Sequence, residues 1–398
     1  MALRRLLGIG LGLVTGTAVH GQTLSGHAVA VWHWTDPSAE SPREHRFQVL
    51  HPMATLRLGL GRYAGLRITG NGEGLTIPAG ELALGNWGEG FIDRRHPHSY
   101  LHEAIADAGI PLGCGGRCRA GGFLGKGFVA FGSDDPMTRP ALRYPINHHF
   151  SQILERAVVG LQAEVGRALL EATLFNGDEP EHPGQWPRIG GRFGDSWAAR
   201  LVVAPADGLE ASLSHASVRS PEHRPGAGAT QAKWHGSVSW HRTGSSAFLE
   251  WARTSELDGF FVFETALLEA SRSVGALRIA ARLERTTRPE EERQSPTRSS
   301  RPHLENSILG TTRWSVATLT ASRRPARGRW SWSPLLELSY GRIESRSGIF
   351  DPSVAYGGSS FVAASVGVRW LFGESHERVG RYGLRRDGQD RSAGHPSH

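Results

Sequence analysis

The sequence predicts an all-β fold: an antiparallel transmembrane β-barrel of about 14 strands, with about 12 to 16 admissible, and a long inserted segment folded into the lumen or capping one rim. Three observations lead there. Apolar side chains recur at every second position in one segment after another. Short glycine-containing links and long polar links separate those segments. Beyond the N-terminus no stretch is apolar enough for a membrane helix, so an exported chain of this kind is either water-soluble or a barrel.

Residues 1–21 read as a secretory signal. Arg4 and Arg5 form a basic start, Leu6 to Val19 is mostly apolar, and Val19 and Gly21 are small enough to precede a cut at Gln22. The apolar run is shorter than the roughly 20 residues a span requires. No cysteine follows the expected cut, which argues against a lipid anchor. The barrel is then expected over 22–373, with a polar tail over 374–398.

Early strands are expected at 26–34, 47–60, 63–77 and 123–131; in the second, Leu56, Leu58 and Leu60 alternate with Arg57, Gly59 and Gly61. Alternation is clearer downstream, in 157–165, 167–174, 196–203, 234–241, 277–284, 330–341 and 361–372. In 277–284, for example, Leu277, Ile279, Ala281 and Leu283 face one way and Arg278, Ala280, Arg282 and Glu284 the other. A helix would space its apolar residues three and four apart instead. Links such as Gly166, 205–208 and 243–245 are short, while 176–193, 217–230, 286–306 and 344–360 are long, as on the two rims of an outer-membrane barrel. Trp197, Trp234, Trp240, Trp251, Trp314, Trp330, Trp332 and Trp370 fall in these strands, several near their ends, which suggests aromatic girdles.

The parity of these strands assigns charged side chains to the lumen: Arg156, Arg167, Glu171, Arg200, Arg278, Arg282, Glu284, Arg313, Glu337 and Arg369, together with Glu164, Glu210 and Glu250. Such a wall sets the selectivity of a pore. The signs are nearly balanced, giving at most a slight preference for anions. The net charge is +7, but arginine is spread along the whole chain and mixed with acidic residues, so a nucleic-acid surface is not expected.

Residues 85–122 break the pattern, with glycine, proline and histidine dominant. Tyr100, Leu101, Ala104, Ile105 and Ala108 could form one face of a short helix, and a loop of this length is usually functional or disordered. His96, His98 and His102 cluster here, and His148 with His149 forms a second group; imidazole suits zinc, copper or nickel. Hydrogen bonding to loop backbone is the plainer role for the same residues. Cys114 and Cys118, the only cysteines, are expected as a small loop disulfide or as two free thiols.

At DRRHPHSYLHEA (93–104) the chain resembles a family of porin-like proteobacterial outer-membrane barrels that carry a D-R-x-H-P-H run before an apolar stretch. The resemblance continues through INHHFSQILERAVVGLQAEV, LLEATLFNGDEPEH and LVVAPADGLEASLSHASVRSPE, and spans most of residues 50–372. It implies that Asp93, Arg94, His96, Pro97, His98, His148 and His149 occupy recurring family positions, and that Phe175 to Pro180 ends a strand and opens a loop. His102 has no fixed counterpart there. Barrels of this type usually finish on an aromatic residue, whereas here a polar tail follows Phe372.

The functional expectation is an outer-membrane barrel for passive passage or uptake of small polar solutes, with membrane lipid and the barrel-assembly machinery as partners. No cofactor and no enzymatic activity are expected. The alternatives are a barrel that handles copper or zinc through its histidines and, more remotely, a hydrolase, for which no G-x-S-x-G elbow is present.

Overall fold

The computed structural model describes residues 19–36, 45–76, 99–133, 139–147, 150–179, 183–187, 191–219, 228–291, 308–324, 329–373 and 380–384. Sixteen antiparallel strands close into a barrel. In chain order they are β1 (Val19–Asp36), β2 (His45–Leu60), β3 (Ala64–Asn71), β4 (Leu101–Pro111), β5 (Cys118–Gly127), β6 (Arg156–Val165), β7 (Ala168–Phe175) and β8 (Ser196–Ala206). There follow β9 (Leu209–Arg219), β10 (Thr230–Arg242), β11 (Ser245–Glu256), β12 (Phe261–Val274), β13 (Leu277–Glu291), β14 (Ile308–Arg323), β15 (Trp330–Gly348) and β16 (Ser360–Phe372). Each strand pairs with its neighbours in sequence, and β1 joins β16 from Gly26↔Phe372 to Asp36↔Val362. That seam removes the free edges that would otherwise leave backbone groups unpaired in an apolar medium.

The links alternate in length. Those over 61–63, 112–117, 166–167, 207–208, 243–244, 275–276 and 324–329 are short and share one rim with the start of β1 and the end of β16. Gly208 and Gly244 close two of these turns in left-handed backbone, each at φ 74°, a conformation that a Cβ would strain. The other rim carries the long links, with one exception at 257–260.

The side chains sort by parity. On the outside Leu268 stands opposite Leu283 and Leu319 opposite Leu338, all exposed. One residue along, on the inside, Glu269 stands opposite Arg282 and Thr320 opposite Glu337, all buried. This is the reverse of a water-soluble barrel. Exposed tryptophans ring both ends: Trp240, Trp330, Trp332 and Trp370 near the short-turn rim, and Trp32, Trp197 and Trp234 near the other.

Several expectations are corrected. Among the described residues the strands number sixteen, the upper end of the expected range rather than 14, and residues 101–111, expected to form one face of a short helix, are a wall strand. The outward positions of β4 are Ala104, Ala106, Ala108 and Ile110, so its alternation is faint and its alanines also fit a helical face. Pairing with β3 and β5 decides between the two. The strand expected over 123–131 ends at Gly127, and the one over 63–77 ends at Asn71 before a helical turn at Glu73–Thr76. The segment that does enter the lumen is the link between β5 and β6, in its described residues 128–133, 139–147 and 150–155. Of the stretch 85–122, residues 85–98 lie outside the described residues, as do 1–18.

The lumenal segment supplies the interior with apolar contacts. Leu142 and Tyr144 pack with Val29, Val31, Leu50, Met53 and Leu335. Ile146 packs with Trp314, Val316, Ile343 and Phe361, and Phe150 with Ala252 and Leu267. Each large side chain so buried contributes about 1.5–3 kcal/mol, which fastens the segment to opposite sides of the wall.

Candidate functional site: the charged lumen

The inner wall binds the lumenal segment mainly through its charged side chains. Glu337 of β15 accepts from the backbone of Leu142 at 2.6 Å and of Arg143 at 2.9 Å. Glu284 of β13 accepts from Ile146 N at 2.5 Å. Glu250 of β11 takes Arg139 at 2.8 Å, His235 at 2.6 Å and the Ser133 hydroxyl. Arg282 donates to the Arg143 carbonyl, Arg369 to that of Arg139 at 3.3 Å, and Arg200 to that of Phe131 at 3.3 Å. Thr173 and Ser214 accept from Ala130 N and Gly132 N at 3.2 and 2.9 Å. An irregular segment buried inside a barrel has no ladder to satisfy its amides, and these side chains replace one.

Two arginines of the segment also stack on rings: Arg139 over Phe248 at 4.7 Å and Arg143 over Phe361 at 4.4 Å. Burial pushes the Arg143 guanidinium down to about 10, against the opposing pull of Glu284 and Glu337. It remains cationic at neutral pH.

The residues that parity assigned to the lumen divide into three groups. Arg156, Glu171, Arg200, Arg278, Arg282, Glu284, Glu337 and Arg369 are buried within the barrel. Most are engaged: Arg200 Nε donates to Glu171 Oε2 at 2.6 Å and Arg282 Nε to Glu269 Oε2 at 2.7 Å, while Arg156 Nη2 stands 3.1 Å from Glu179 Oε1 in an ion pair. Among the described residues Arg278 hydrogen-bonds the Ser271 hydroxyl at 3.0 Å and feels the Glu269 carboxylate, and Arg369 lies close enough to feel its charge. Neither makes an ion pair among the described residues.

Arg167 and Arg313 are placed elsewhere. Arg167 sits in the exposed turn between β6 and β7, donating to Pro205 O at 3.0 Å and Asp207 Oδ1 at 3.2 Å. Arg313 lies on the outer face of β14, opposite Glu344 of β15, while its neighbour Trp314 points inward. A one-residue error of parity exchanges the two faces, and polarity misleads here. Trp314 is buried because Glu290 and Thr312 accept its indole N–H, at 3.2 and 2.9 Å, and the Arg288 guanidinium stands 5.0 Å from its ring.

His102 is fully buried near the start of β4, in contact with Glu155 and with its ring 5.0 Å from that of Phe128. His96, His98, His148 and His149 lie outside the described residues. Among the described residues no group of three or more histidine, cysteine or acidic side chains could hold a metal. Cys114 and Cys118 form a disulfide across the turn between β4 and β5, with Cα atoms 5.6 Å apart.

No protein-family model and no curated protein sequence matches the chain. Solved structures do match in shape. An anion-selective porin from Comamonas acidovorans superposes with a TM-score of 0.52 at 12% identity, covering 88% of this chain and 99% of that one. Salmonella typhi OmpF, solved in complex with daunomycin, gives 0.51 at 10% identity, covering 88% and 97%. At these identities the likeness is one of fold: a closed porin-type barrel.

Proposed function

We propose that the chain is a bacterial outer-membrane channel for the passive passage of small polar solutes. One observation carries the reading. The barrel turns an apolar, tryptophan-banded face outward and a charged face inward, and the link between β5 and β6 is fastened across the lumen. An apolar exterior suits lipid, a polar interior suits water and solute, and an internal segment narrows the passage without closing the wall. On this reading the short turns, with the start of β1 and the end of β16, face the periplasm. The fold shared with porins supports it.

The solute class follows from the charges. Buried basic and buried acidic side chains are equal in number among the described residues, so the interior has no dominant sign. Arg278 and Arg369, near the short-turn rim, form a cationic patch against that balance, which favours anions weakly. Reconstitution in planar bilayers tests both points. Discrete conductance steps are expected, with a small reversal potential of anion-selective sign in a potassium chloride gradient. Absence of steps at every voltage overturns the channel reading, and clear cation selectivity overturns the preference.

A further inference from the structure

The chain leaves the wall at Phe372, yet residues 380–384 lie inside the barrel. Gly380, Arg381, Tyr382, Gly383 and Leu384 run along the inner face of β3 to β9, held there by side chains of the wall. The Tyr382 hydroxyl donates to Glu103 Oε1 at 2.7 Å and accepts from Phe128 N at 3.0 Å. Its ring lies 5.0 Å from that of Phe123, and the Arg67 guanidinium stands 5.4 Å from it. Gln162 holds the main chain at two points, donating to Tyr382 O at 2.7 Å and accepting from Leu384 N at 2.9 Å. Arg381 faces Glu171 at 3.7 Å and Glu210 at 3.9 Å.

The fit extends to the glycines. Leu384 rests over Gly109 of β4, where an added Cβ would stand 2.5 Å from its Cδ2. Gly380 and Gly383 both take left-handed backbone, at φ 74°. A side chain at Gly383 would be strained there and would also run into Gln162. Tyr382 and Leu384 are buried. A polar tail merely trailing from a barrel would not find an amide clamp, a phenol acceptor, paired carboxylates and a glycine seat in register.

We propose that the inner wall from β3 to β9 is a built receptor for a peptide of arginine–tyrosine–glycine–leucine character, and that the chain's own Gly380–Leu384 segment fills it as a tethered plug. The occupied side of the lumen is the one that the lumenal segment's Arg139–Ile146 stretch leaves uncovered, so the two insertions together narrow the passage. That consequence rests on the channel reading, whereas the docking itself does not. A short peptide on a tether acts at millimolar effective concentration, which lets modest contacts hold it in place.

The test uses the full-length protein in detergent and two variants, Gly383→Val in the tail and Gly109→Leu in the wall, the second filling the Leu384 seat. A protease such as trypsin is too wide to enter the lumen, so it reaches the Arg381–Tyr382 bond only when the tail has left. Mass analysis of the C-terminus should show this bond resisting in the parent and cut about tenfold faster in both variants, since cleavage tracks the released population. Equal rates in all three proteins overturn the proposal. The same proteins in bilayers read the consequence: larger single-channel conductance in both variants is expected, and unchanged conductance removes the plugging role. No steps from any of them removes the channel reading instead, while the protease result still decides the docking.

Discussion

The Tyr382 hydroxyl donates to Glu103 Oε1 across 2.7 Å, joining the C-terminal segment to the inner face of β4. Glu103 also accepts from Thr69 at 2.6 Å and stands 3.6 Å from Arg67. Removing the hydroxyl alone, by Tyr382→Phe, leaves the ring on Phe123 but deprives a buried carboxylate of one donor and Phe128 N of its acceptor. A hydrogen bond to a charged group contributes about 1.5–3 kcal/mol. Tyr382→Phe is therefore expected to raise the rate of cutting at Arg381 by about tenfold or more, with the barrel's heat-modifiable gel mobility unchanged. A rate equal to the parent's would place the tail's anchoring elsewhere.

Alkaline pH should release the same contact. Burial, with the Glu103 carboxylate alongside, pushes the Tyr382 phenol well above its usual value of 10.0. The docked segment thus holds its proton where the free segment loses it. Docking is at full strength below about pH 10 and weakens as the pH rises further. Tyrosinate absorbance, taken as the difference between the parent and Tyr382→Phe, should stay flat through about pH 10 and step only above it. A difference step centred on the free-tyrosine value would mean an exposed phenol.

The wall was largely legible in the sequence and the lumen was not, for a physical reason. Outward positions such as Leu283 and Leu338 announce themselves because each must be apolar whatever its partners are. Inward positions tolerate any residue that finds a partner, so Trp314 and Arg313 could be exchanged in a reading by polarity. The alanines of β4 gave too weak a period to separate strand from helix. Composition pointed to 85–122 as the inserted segment, whereas the link between β5 and β6, part of which was expected to be a strand, is the one that enters the barrel. The choice depends on Glu250, Glu284 and Glu337, far away in sequence, which supply the acceptors that 128–155 needs. Nothing local in R-Y-G-L marks it as a lumenal ligand, since Gln162 and Glu103 must first be brought opposite it by strand register.

Glu337 offers a second way to loosen the interior. Its two oxygens take the amides of Leu142 and Arg143 separately, and Oε2 also takes the Thr320 hydroxyl at 2.9 Å. Glutamine in its place keeps the shape but presents an N–H₂ toward one donor. The lost charge-assisted contacts, each about 1.5–3 kcal/mol, exceed thermal energy several-fold, so Glu337→Gln should free the Leu142–Arg143 stretch. Increased current noise and additional subconductance levels are expected in bilayers. Quiet, parental traces would show that the apolar packing of Leu142 and Tyr144 is sufficient to hold it.

Membrane placement makes the sharpest distinction between faces. Leu283 is outward and in mid-strand, while Ser339 is inward and buried at comparable height on β15. Arginine facing lipid near the midplane costs about 2–4 kcal/mol, and much less toward the interfaces. Leu283→Arg should therefore lower the urea midpoint of barrels folded into lipid vesicles by an amount of that order, whereas Arg313→Leu, on the same outer face nearer the long-link rim, should leave it equal or higher. In Ser339→Arg the new charge enters a charged lumen two positions along β15 from Glu337, so its effect should appear in conductance more than in stability. If Leu283→Arg and Ser339→Arg destabilise the vesicle-embedded barrel alike, the outer face is not meeting hydrocarbon, and the channel reading loses its footing.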